Sequence, residues 1–447
     1  MHLLDSVLAR MKLGQPARRF LREVLMLLII VPGRATFRNL SRYSDYGEKT
    51  FSRWFRRELD WARLNVAAIR TVVPAEHEAM LAFDPSFIPK SGKHTAGLGR
   101  FWNGGAGRVE AGLEVNVLSW VDVTANTAYA ISAALTPPKS PTARLKAAGE
   151  ATEATASDGP TRTVLAQVRA KAKAKAKAKA KAKAKAKVAK VDVEESRVDA
   201  YLTHLQQVIP HHRLSVPRHL TADGYFGKVK FVDGIKALGL DLISKLRRDA
   251  DLRYLYTGSY VGRGRPRLYD GKVDLARRDR FTAVPSPDPS LILDTAVVYA
   301  PRLRRRLRIV VVTRHQTRGL AVLFSTDLEL DPVTLCRYDV ARFQIEFLFR
   351  DSQQFAGLTH CQARRADTLT FHLNASLTAV SLAKLQVLQT LGHLPVPFSM
   401  ASIVRRGFNE QLLRRLLAHL ADGGRLAENS PEYETFCNYG LIHPFAA

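Results

Sequence analysis

The stretch HLTADGYFGKVKFVDGIKALGLDLISKL, residues 219–246, has the pattern of a strand, a helix and a second strand. Its first part, HLTAD (219–223), is a short apolar run that ends in a carboxylate, and LDLISKL (240–246) is another strand-like run. Between them, four apolar residues recur at helical spacing: Phe231, Val232, Ile235 and Leu238. A β-α-β unit joins parallel strands, and functional residues collect at the carboxyl ends of such strands. The pattern therefore predicts an α/β fold with Asp223 at a candidate site.

A second apolar run, AMLAFD (79–84), also ends in a carboxylate, that of Asp84. Two longer runs follow it, GLEVNVLSWVDV (112–123) and TAYAISAAL (127–135), with a short turn between them. Strand-like segments on both sides of a turn predict a β-hairpin. The chain therefore offers two strands, far apart in sequence, that each end in an aspartate.

The chain is strongly basic, with 68 Lys and Arg residues against 41 Asp and Glu residues and a formal net charge of +27. This surplus indicates a polyanionic partner, of which nucleic acid is the simplest and a membrane surface is the alternative. The sequence contains no long amphipathic helix with lysines on one face and no lipidation motif, so it favours nucleic acid.

Three features of the sequence suggest a cytoplasmic location. The three cysteines lie far apart and lack metal-type spacing, which suits a reducing cytosol and argues against structural zinc. The apolar stretch VLMLLIIVP (24–32) is too short to span a bilayer and is crowded by arginines, unlike a signal peptide. We therefore expect a buried helix there, and a bacterial cytoplasmic protein that joins the nucleoid when bound to DNA.

The run KAKAKAKAKAKAKAKAK (171–187) is the most conspicuous basic segment. Removing its nine lysines still leaves a net charge of +18, so the basic character belongs to the whole chain. Neither strand nor helix spacing gives the run an amphipathic surface on which to fold. We expect a mobile basic loop, or a frayed helix, that strengthens DNA binding without reading sequence. A nucleoid-type packaging role is the alternative that this run suggests.

The segment GRATFRNLSRYSDYGEKTFSRWFRRELDW (33–61) contains two short helical patterns. The second, residues 49–57, combines Arg53, Arg56 and Arg57 with aromatic residues. This arrangement predicts a helix-turn-helix whose second helix presents cations to DNA while the aromatic residues anchor it. The alternative is a small helical bundle with a solvated basic face.

The segment ARFQIEFLFRDSQQF (341–355) predicts one continuous amphipathic helix. At about 100° per residue, its apolar residues form one face that suits docking on a sheet. The opposite, polar face carries four residues: Arg342, Glu346, Arg350 and Gln353. An ordinary amphipathic helix with an i, i+4 ion pair is the alternative for this segment taken alone.

The two aspartates and Glu346 together indicate metal-dependent chemistry. Three carboxylates that converge at one sheet edge repel one another unless cations lie between them. Hard oxygen ligands with room for water and phosphate oxygens suit Mg²⁺, with Mn²⁺ as a substitute. Two such ions could activate a water or a 3′-hydroxyl and stabilise the leaving oxygen in phosphodiester chemistry.

Three motifs carry a resemblance to a known family: DPSF at 84–87, TADGYFGK at 221–228 and RFQIEFLFRD at 342–351. They resemble those of bacterial insertion-sequence DDE transposases, and most closely those of the insertion sequence 4 family, with its Y-x2-R-x3-E-x6-K signature. The resemblance covers about residues 30–400. It implies an α/β, RNase H-like catalytic core that is interrupted by a mostly β insertion domain, with helical regions at both termini.

On this resemblance, Asp84, Asp223 and Glu346 form the catalytic and metal-binding triad, and Arg342 matches the signature arginine. The segments it implies are 1–75, a helical DNA-binding region; 76–136, the first part of the core; 137–193, a low-complexity Lys/Ala-rich linker; 194–247, the second part of the core; 248–336, a β-rich insertion; 337–395, the last part of the core; and 396–447, a helical C-terminal region.

Two positions depart from the family signature. The signature tyrosine falls on Asp339, with Tyr338 one residue before it, and the signature lysine falls on Gln353. In the family these two positions contact DNA, so the resemblance makes Tyr338 and Gln353 DNA-binding candidates. Asp339 would add negative charge where phosphate approaches, and Arg350 could replace part of the missing lysine.

The segment GRGRPR (262–267) is a further basic candidate, with Arg263, Arg265 and Arg267. Such a segment keeps its backbone extended and lets arginines enter a narrow minor groove. The alternatives are nonspecific phosphate contacts and a hairpin loop that happens to be basic.

These observations predict a transposase that hydrolyses DNA at transposon ends and joins the freed 3′-hydroxyl to target DNA with Mg²⁺. Its partner is double-stranded DNA, and a homodimer is expected because two ends must be joined. The alternative, which Asp339 and Gln353 favour, is a catalytically silent DNA-binding protein derived from a transposase.

Overall fold

The computed structural model of the chain describes residues 2–138, 197–212, 215–259, 262, 265–314, 319–392, 398–424, 426–428 and 430–440. The Lys-Ala run, nearly all of the predicted linker and Arg263 lie outside the described residues.

Helices occupy both ends of the described chain, and others lie between strands along the sequence. They are α1 (His2–Arg10), α2 (Gln15–Ile30), α3 (Phe37–Leu40), α4 (Glu48–Trp54), α5 (Trp61–Val72), α6 (197–212), α7 (Val229–Ala237), α8 (Pro332–Ala341), α9 (Gln344–Phe355), α10 (Ala366–Leu391), α11 (Met400–Ala421) and α12 (Pro431–Cys437). None of the helices in the described segments combines the length and apolar character needed to cross a membrane.

The strands are β1 (Ala79–Pro89), β2 (Gly99–Asn103), β3 (Arg108–Asp122), β4 (Thr127–Leu135), β5 (His219–Ala222), β6 (Asp241–Leu246), β7 (Arg253–Leu255), β8 (Tyr269–Lys272), β9 (Thr282–Val284), β10 (Leu291–Ala300), β11 (Arg305–Arg314) and β12 (Leu320–Ser325). The predicted hairpin is present as β3 and β4, and the predicted β-α-β unit as β5, α7 and β6.

All the described strands belong to one mixed sheet. Its inner half has the order β4-β3-β1-β5-β6, in which β4, β3 and β1 are antiparallel and β1, β5 and β6 are parallel. The strand-rich segment that follows β6 continues this sheet because β12 pairs with β6, and β11, β10, β7 and β8 follow in order. The α/β class is therefore confirmed, and the strand-rich segment extends the sheet instead of forming a second one.

The first strand is longer than its apolar pattern predicts. Asp84 was expected to end a strand, but β1 continues to Pro89 because it stays paired with β3 along its whole length. Only the parallel pairing with β5 stops near the aspartate, at Phe83 opposite Ala222. Asp84 thus lies where its parallel neighbour ends.

Alternate residues of β1 enter two different cores. Leu81 and Phe83 belong to the core on one face of the sheet, which α6, α7 and the N-terminal helices cover. Met80 and Ala82 belong to the core on the other face, which α8 and α9 cover. Because side chains alternate along a strand, Asp84 projects to the same face as α8 and α9.

The long helix α10 covers the outer edge of β4 with polar side chains. Ala130 N donates to Ser381 Oγ at 2.8 Å, and Ala133 N donates to Asn374 Oδ1 at 2.9 Å. Asn374 Nδ2 also donates to Ala133 O at 2.8 Å. An uncovered strand edge exposes backbone groups that pair with other chains, and these bonds close that edge.

The segment predicted as one helix over 341–355 is two helices. The helix α8 ends at Ala341 and α9 begins at Gln344. At the junction, Phe343 N donates to Val340 O and Glu346 N donates to Phe343 O, which are i to i−3 bonds that tighten the chain into 3₁₀ turns. The apolar face of α9 nevertheless forms as predicted, since Ile345, Leu348 and Phe349 are buried in one core.

Gly112 gives a direct test of how closely β1 and β3 approach. A Cβ atom at this position would lie 2.4 Å from the Phe87 ring and 2.6 Å from the backbone oxygen of Ile88. We expect Gly112→Ala to lower the free energy of unfolding by about 2 kcal/mol because the backbone of β1 must move. Urea denaturation measures this change.

Gly104→Ala is the matched control, since a Cβ at Gly104 meets nothing within 4 Å. A loss of stability in this control as large as that of Gly112→Ala would contradict the steric explanation.

Candidate active site

The sheet register brings two aspartates side by side. The parallel pairing of β1 with β5 ends at Phe83 opposite Ala222, so Asp84 and Asp223 are the next residues on adjacent strands. Asp223 caps a short turn, since its Oδ1 accepts from Tyr225 N at 2.9 Å. Its backbone oxygen accepts a 2.6 Å bond from Ser244 Oγ on β6. Both aspartates are half-buried at the carboxyl end of the parallel strands.

The Asp84 carboxyl is strongly perturbed by its surroundings. Burial is the main cause and raises the pKa of Asp84 to about 7. The charge of Arg342 lowers this pKa, whereas the charges of Asp223 and Glu346 raise it. The structure therefore brings the three predicted carboxylates into electrostatic contact, with one arginine among them.

Arg342 lies in the tight turn between α8 and α9. Its side chain is 13% exposed, and its Nη1 atom is 3.8 Å from Glu346 Oε1, whose side chain is 44% exposed. The buried Nε atom of Arg342 has no hydrogen-bond partner among the described residues. The guanidinium thus places a positive charge beside the carboxylates and keeps one donor unused.

The donor chemistry of the site fits a hard divalent cation. Asp84 and Asp223 present carboxylate oxygens from adjacent strands, and such oxygens are the ligands that Mg²⁺ prefers. Among the described residues, no three His, Cys, Asp or Glu side chains lie close enough to hold an ion as they stand. The side chains would have to draw closer together to complete such a site, and Glu346 is the exposed member of the three.

Lys245 is a cation of this sheet edge that the sequence pattern did not single out. The register of β5 with β6 pairs Thr221 with Ile243, which puts Lys245 level with Asp223. Its Nζ atom lies 3.1 Å from Asp339 Oδ2. The negative charge that was expected to oppose DNA therefore has a cationic partner from β6. The signal for it was a lysine at the end of a strand in a β-α-β unit.

Tyr338 does not join this group. Its side chain is buried against His219, with ring centroids 5.7 Å apart, and its hydroxyl bonds to Glu78. Burial and that carboxylate raise the pKa of Tyr338 to about 12. Glu78 precedes β1, so the Tyr338 hydroxyl lies at the start of that strand, whereas Asp84 lies in its middle.

Arg350 is exposed on α9, and its guanidinium contacts two neighbouring side chains of the same helix. Its Nη2 atom donates to Asp351 Oδ1 at 3.1 Å, and its guanidinium lies 4.7 Å from the centre of the Phe347 ring. Gln353 is half-buried one turn further along. Both polar residues thus lie on the same helix as Glu346, but Arg350 already has a carboxylate partner.

A buried ion pair under α9 was also missed by the sequence pattern. Asp351 Oδ2 lies 3.8 Å from Lys384 Nζ on α10, and each side chain is 6% exposed. Burial lowers the pKa of Lys384 to about 8, and the charge of Asp351 opposes this shift. The pair attaches the helix that carries Glu346 to the long helix α10.

The N-terminal arginines are exposed, as a DNA-binding surface requires. Arg53 lies on α4, but Arg56 and Arg57 follow the end of that helix, which is shorter than predicted. The Arg57 guanidinium lies 4.0 Å over the Trp54 ring, and that ring stacks on Phe20 at 4.9 Å. The aromatic residues thus anchor this segment to α2.

The GRGRPR segment is described only in part. Arg265 and Arg267 are exposed. Arg267 donates to Asp270 Oδ1 at 2.5 Å, so the charge of this arginine is already compensated within the protein.

The perturbed carboxyl of Asp84 predicts a pH-dependent gain in stability on substitution. The native state holds the Asp84 proton up to about pH 7, whereas the unfolded chain releases it near its ordinary pKa of 3.8. Ionisation therefore destabilises the native state increasingly as the pH rises between these values, and fully above them. We expect Asp84→Asn to raise the free energy of unfolding on the order of 2 kcal/mol at pH 8 and little at pH 4.

Urea denaturation with a chelator present measures this difference at both pH values. Asp249→Asn, at a position with a 71% exposed side chain, should change stability little at either pH. An equal gain for Asp84→Asn at pH 4 and pH 8 would attribute the effect to packing and not to charge.

Comparison with known proteins agrees with this geometry. No curated protein matches the chain. A family model described as DDE superfamily endonuclease matches residues 12–317, which is well over half of the chain. The match includes Asp84 and Asp223 and stops before Glu346. The chain therefore belongs to the DDE superfamily endonuclease family.

Proposed function

We propose that this protein is the DNA transposase of an insertion sequence. It hydrolyses phosphodiester bonds at transposon ends and joins the freed 3′-hydroxyl to target DNA. The observation that carries this proposal is the register that makes Asp84 and Asp223 neighbours, with Glu346 coupled to them, in a DDE superfamily endonuclease.

The sheet topology supports an RNase H-like core. In the order β4-β3-β1-β5-β6, three antiparallel strands are followed by two parallel ones, and the carboxylates lie at the centre. The strand-rich segment between Asp223 and Glu346 would be the insertion of the insertion sequence 4 family. The spacing of Arg342 and Glu346 supports the same assignment, including the arginine and glutamate of the YREK signature.

Asp84, Asp223 and Glu346 would hold Mg²⁺, or Mn²⁺ as a substitute. When bound, the ions would activate the attacking oxygen and stabilise the leaving oxygen. In cleavage, a water oxygen bonds to phosphorus, the bond to the 3′-oxygen breaks, and that oxygen leaves as the 3′-hydroxyl. In strand transfer, this hydroxyl attacks a target phosphorus and displaces the target 3′-oxygen. The half-buried position of the aspartates limits access of bulk water.

Cations of the chain would position the DNA phosphates. Arg342 carries an unused Nε donor beside the carboxylates, so it would bind the phosphate next to the broken bond. Arg350 and Gln353 would follow along α9, and Arg53, Arg56 and Arg57 would bind the transposon end. Arg263, Arg265 and Arg267 would add contacts to the DNA backbone. Tyr338 is buried on Glu78, and its geometry favours a structural role.

Two ends must be held together for strand transfer, so a homodimer on double-stranded DNA follows from this function. The bacterial cytoplasm, and the nucleoid when the protein is bound to DNA, is the corresponding location.

A second candidate function is a catalytically silent DNA-binding protein. Gln353 favours this candidate, because an uncharged side chain stands at the position where the family signature has a DNA-binding lysine. Mg²⁺-dependent nicking of the element's own end separates the two, since the silent protein binds that end without cutting it.

The triad gives the principal prediction of the proposed function. Asp84→Asn, Asp223→Asn and Glu346→Gln should each lower the cleavage rate by a factor of about 10² to 10³, as expected when a charge of the catalytic site is removed. DNA affinity should remain within a few-fold of the wild type. Single-turnover cleavage and fluorescence anisotropy measure the two quantities.

Asp5→Asn is the control, because Asp5 lies on α1, with a 44% exposed side chain, and pairs with Arg22 at 3.2 Å. Near-normal cleavage by any one of the triad variants would remove that residue from the assignment.

The Lys245–Asp339 pair yields a prediction of opposite signs. Lys245→Gln should weaken duplex binding several-fold because it removes a cation and leaves Asp339 uncompensated. Asp339→Asn should strengthen binding because Lys245 is freed for phosphate. Anisotropy titrations compare both with the double variant, and equal effects of the two single variants would contradict this electrostatic role.

A further inference from the structure

The outer half of the sheet carries a row of cationic and aromatic side chains across four strands. Arg306 on β11 lies opposite Tyr299 on β10, and Tyr299 lies opposite Arg253 on β7. Arg253 in turn lies opposite Lys272 on β8. Directly opposed residues in antiparallel strands project to the same face. We call Arg306, Tyr299, Arg253 and Lys272 the outer basic strip.

The charges of the outer basic strip are largely uncompensated. Arg306 and Lys272 are exposed and make no ion pair or side-chain hydrogen bond with any described residue. Arg253 is 46% exposed, and the nearest carboxylate, that of Asp251, is 4.0 Å away. Tyr269 packs on Tyr299 with ring centroids 4.8 Å apart, which gives the strip an aromatic floor.

The adjacent β10–β11 turn adds two more exposed arginines. Within PRLRRRLR (301–308), Arg302 and Arg304 are exposed, and their side chains make no ion pair or hydrogen bond with any described residue. Their neighbours are used differently: Arg305 forms an ion pair with Asp233, and Arg308 donates to the backbone oxygen of Leu328. The inward arginines thus serve the fold, and the outward ones do not.

Arg304 also has an unfavourable backbone conformation. Its φ of 54° lies in the left-handed region, where a side chain costs about 1 kcal/mol and glycine is preferred. The turn is closed by Arg304 N donating to Pro301 O at 3.3 Å. A glycine would satisfy this turn, so an arginine there points to a use for its charge.

The strip shares a face of the sheet with the candidate active site. Tyr299 projects to the same face as Leu293, which belongs to the core under α8 and α9. Ala82 belongs to the same core, and Asp84, two residues further along β1, projects to that face as well. Four strand steps separate β1 from β11 and seven separate it from β8, or about 19 to 34 Å across the sheet at roughly 4.8 Å per step. The register also places Arg306 and Tyr299 four residues along their strands from the level of Asp84, which adds about 13 Å and gives roughly 23 to 36 Å in all. Along a duplex this corresponds to about seven to eleven base pairs.

We propose that the outer basic strip and the Arg302–Arg304 turn bind the phosphates of duplex DNA about seven to eleven base pairs from the phosphate held at the carboxylates. The distance in this inference rests on the proposed function, because it is measured from a phosphate bound at the carboxylates. The surface binds DNA independently of sequence: its guanidinium and ammonium groups contact phosphates, and Tyr299 packs against the sugar backbone.

Salt dependence tests the surface independently of cleavage. The full chain is titrated against a duplex of arbitrary sequence, about 30 base pairs long, over a series of salt concentrations. Arg253→Gln combined with Arg306→Gln should lower the slope of log affinity against log salt by about 1.8, since each phosphate contact contributes about 0.9. The matched control combines Arg100→Gln with Arg108→Gln on β2 and β3, at the other end of the sheet, and should leave the slope unchanged.

An unchanged slope in the strip variant, or an equal fall in the control, would overturn the inference. If the triad variants still cleave DNA, the proposed function fails, but the salt slopes still decide whether the strip binds DNA phosphates.

Arg304→Gly separates binding from folding. It should lower the salt slope by about 0.9 and leave the melting temperature equal or higher, because the left-handed strain is removed. Arg302→Gln is the second variant, with the same expected fall in slope. Loss of the fold in Arg304→Gly together with an unchanged slope in Arg302→Gln would show that the turn is only structural.

Discussion

The structure depends on the parallel pairing of β1 with β5. This pairing ends one residue before each aspartate, so Asp84 and Asp223 face the same space from adjacent strands. Burial of Asp84 and repulsion from its neighbours make this arrangement unfavourable at neutral pH, as the raised pKa of its carboxyl records. Arg342, which lies in the tight turn between α8 and α9, offsets part of that cost through its charge. A site that holds repelling groups in place costs stability in exchange for activity.

The surrounding elements stabilise this arrangement from outside. The long helix α10 closes the edge of β4 through Ser381 and Asn374, and it anchors α9 through the pair of Lys384 with Asp351. The helix that carries Glu346 is therefore fixed from below, while Glu346 itself remains on the exposed side. Such a helix can present a carboxylate without moving as a whole.

The surplus of positive charge is divided between structural and free cations. Some arginines and lysines hold elements together, as Arg305 does with Asp233 and Lys245 with Asp339. Others, among them Arg306 and Lys272, project from the sheet without a carboxylate partner in the described chain. Arg306 and Lys272 lie on the sheet face that also carries Asp84. Positive charge and the candidate catalytic carboxylates therefore share one face of the sheet.

The sequence by itself determined the strands, the hairpin and the β-α-β unit, because burial on a sheet or helix face imposes a period that the apolar residues record. It also determined Asp223 as a strand-end carboxylate and the buried face of α9. It could not determine that β1 continues past Asp84, since pairing with β3 extends the strand beyond its apolar run. Nor could it place Tyr338 on Glu78, Lys245 on Asp339 or Arg306 beside Tyr299. Those contacts join residues distant in sequence, and only the strand register and the turn between α8 and α9 bring them together.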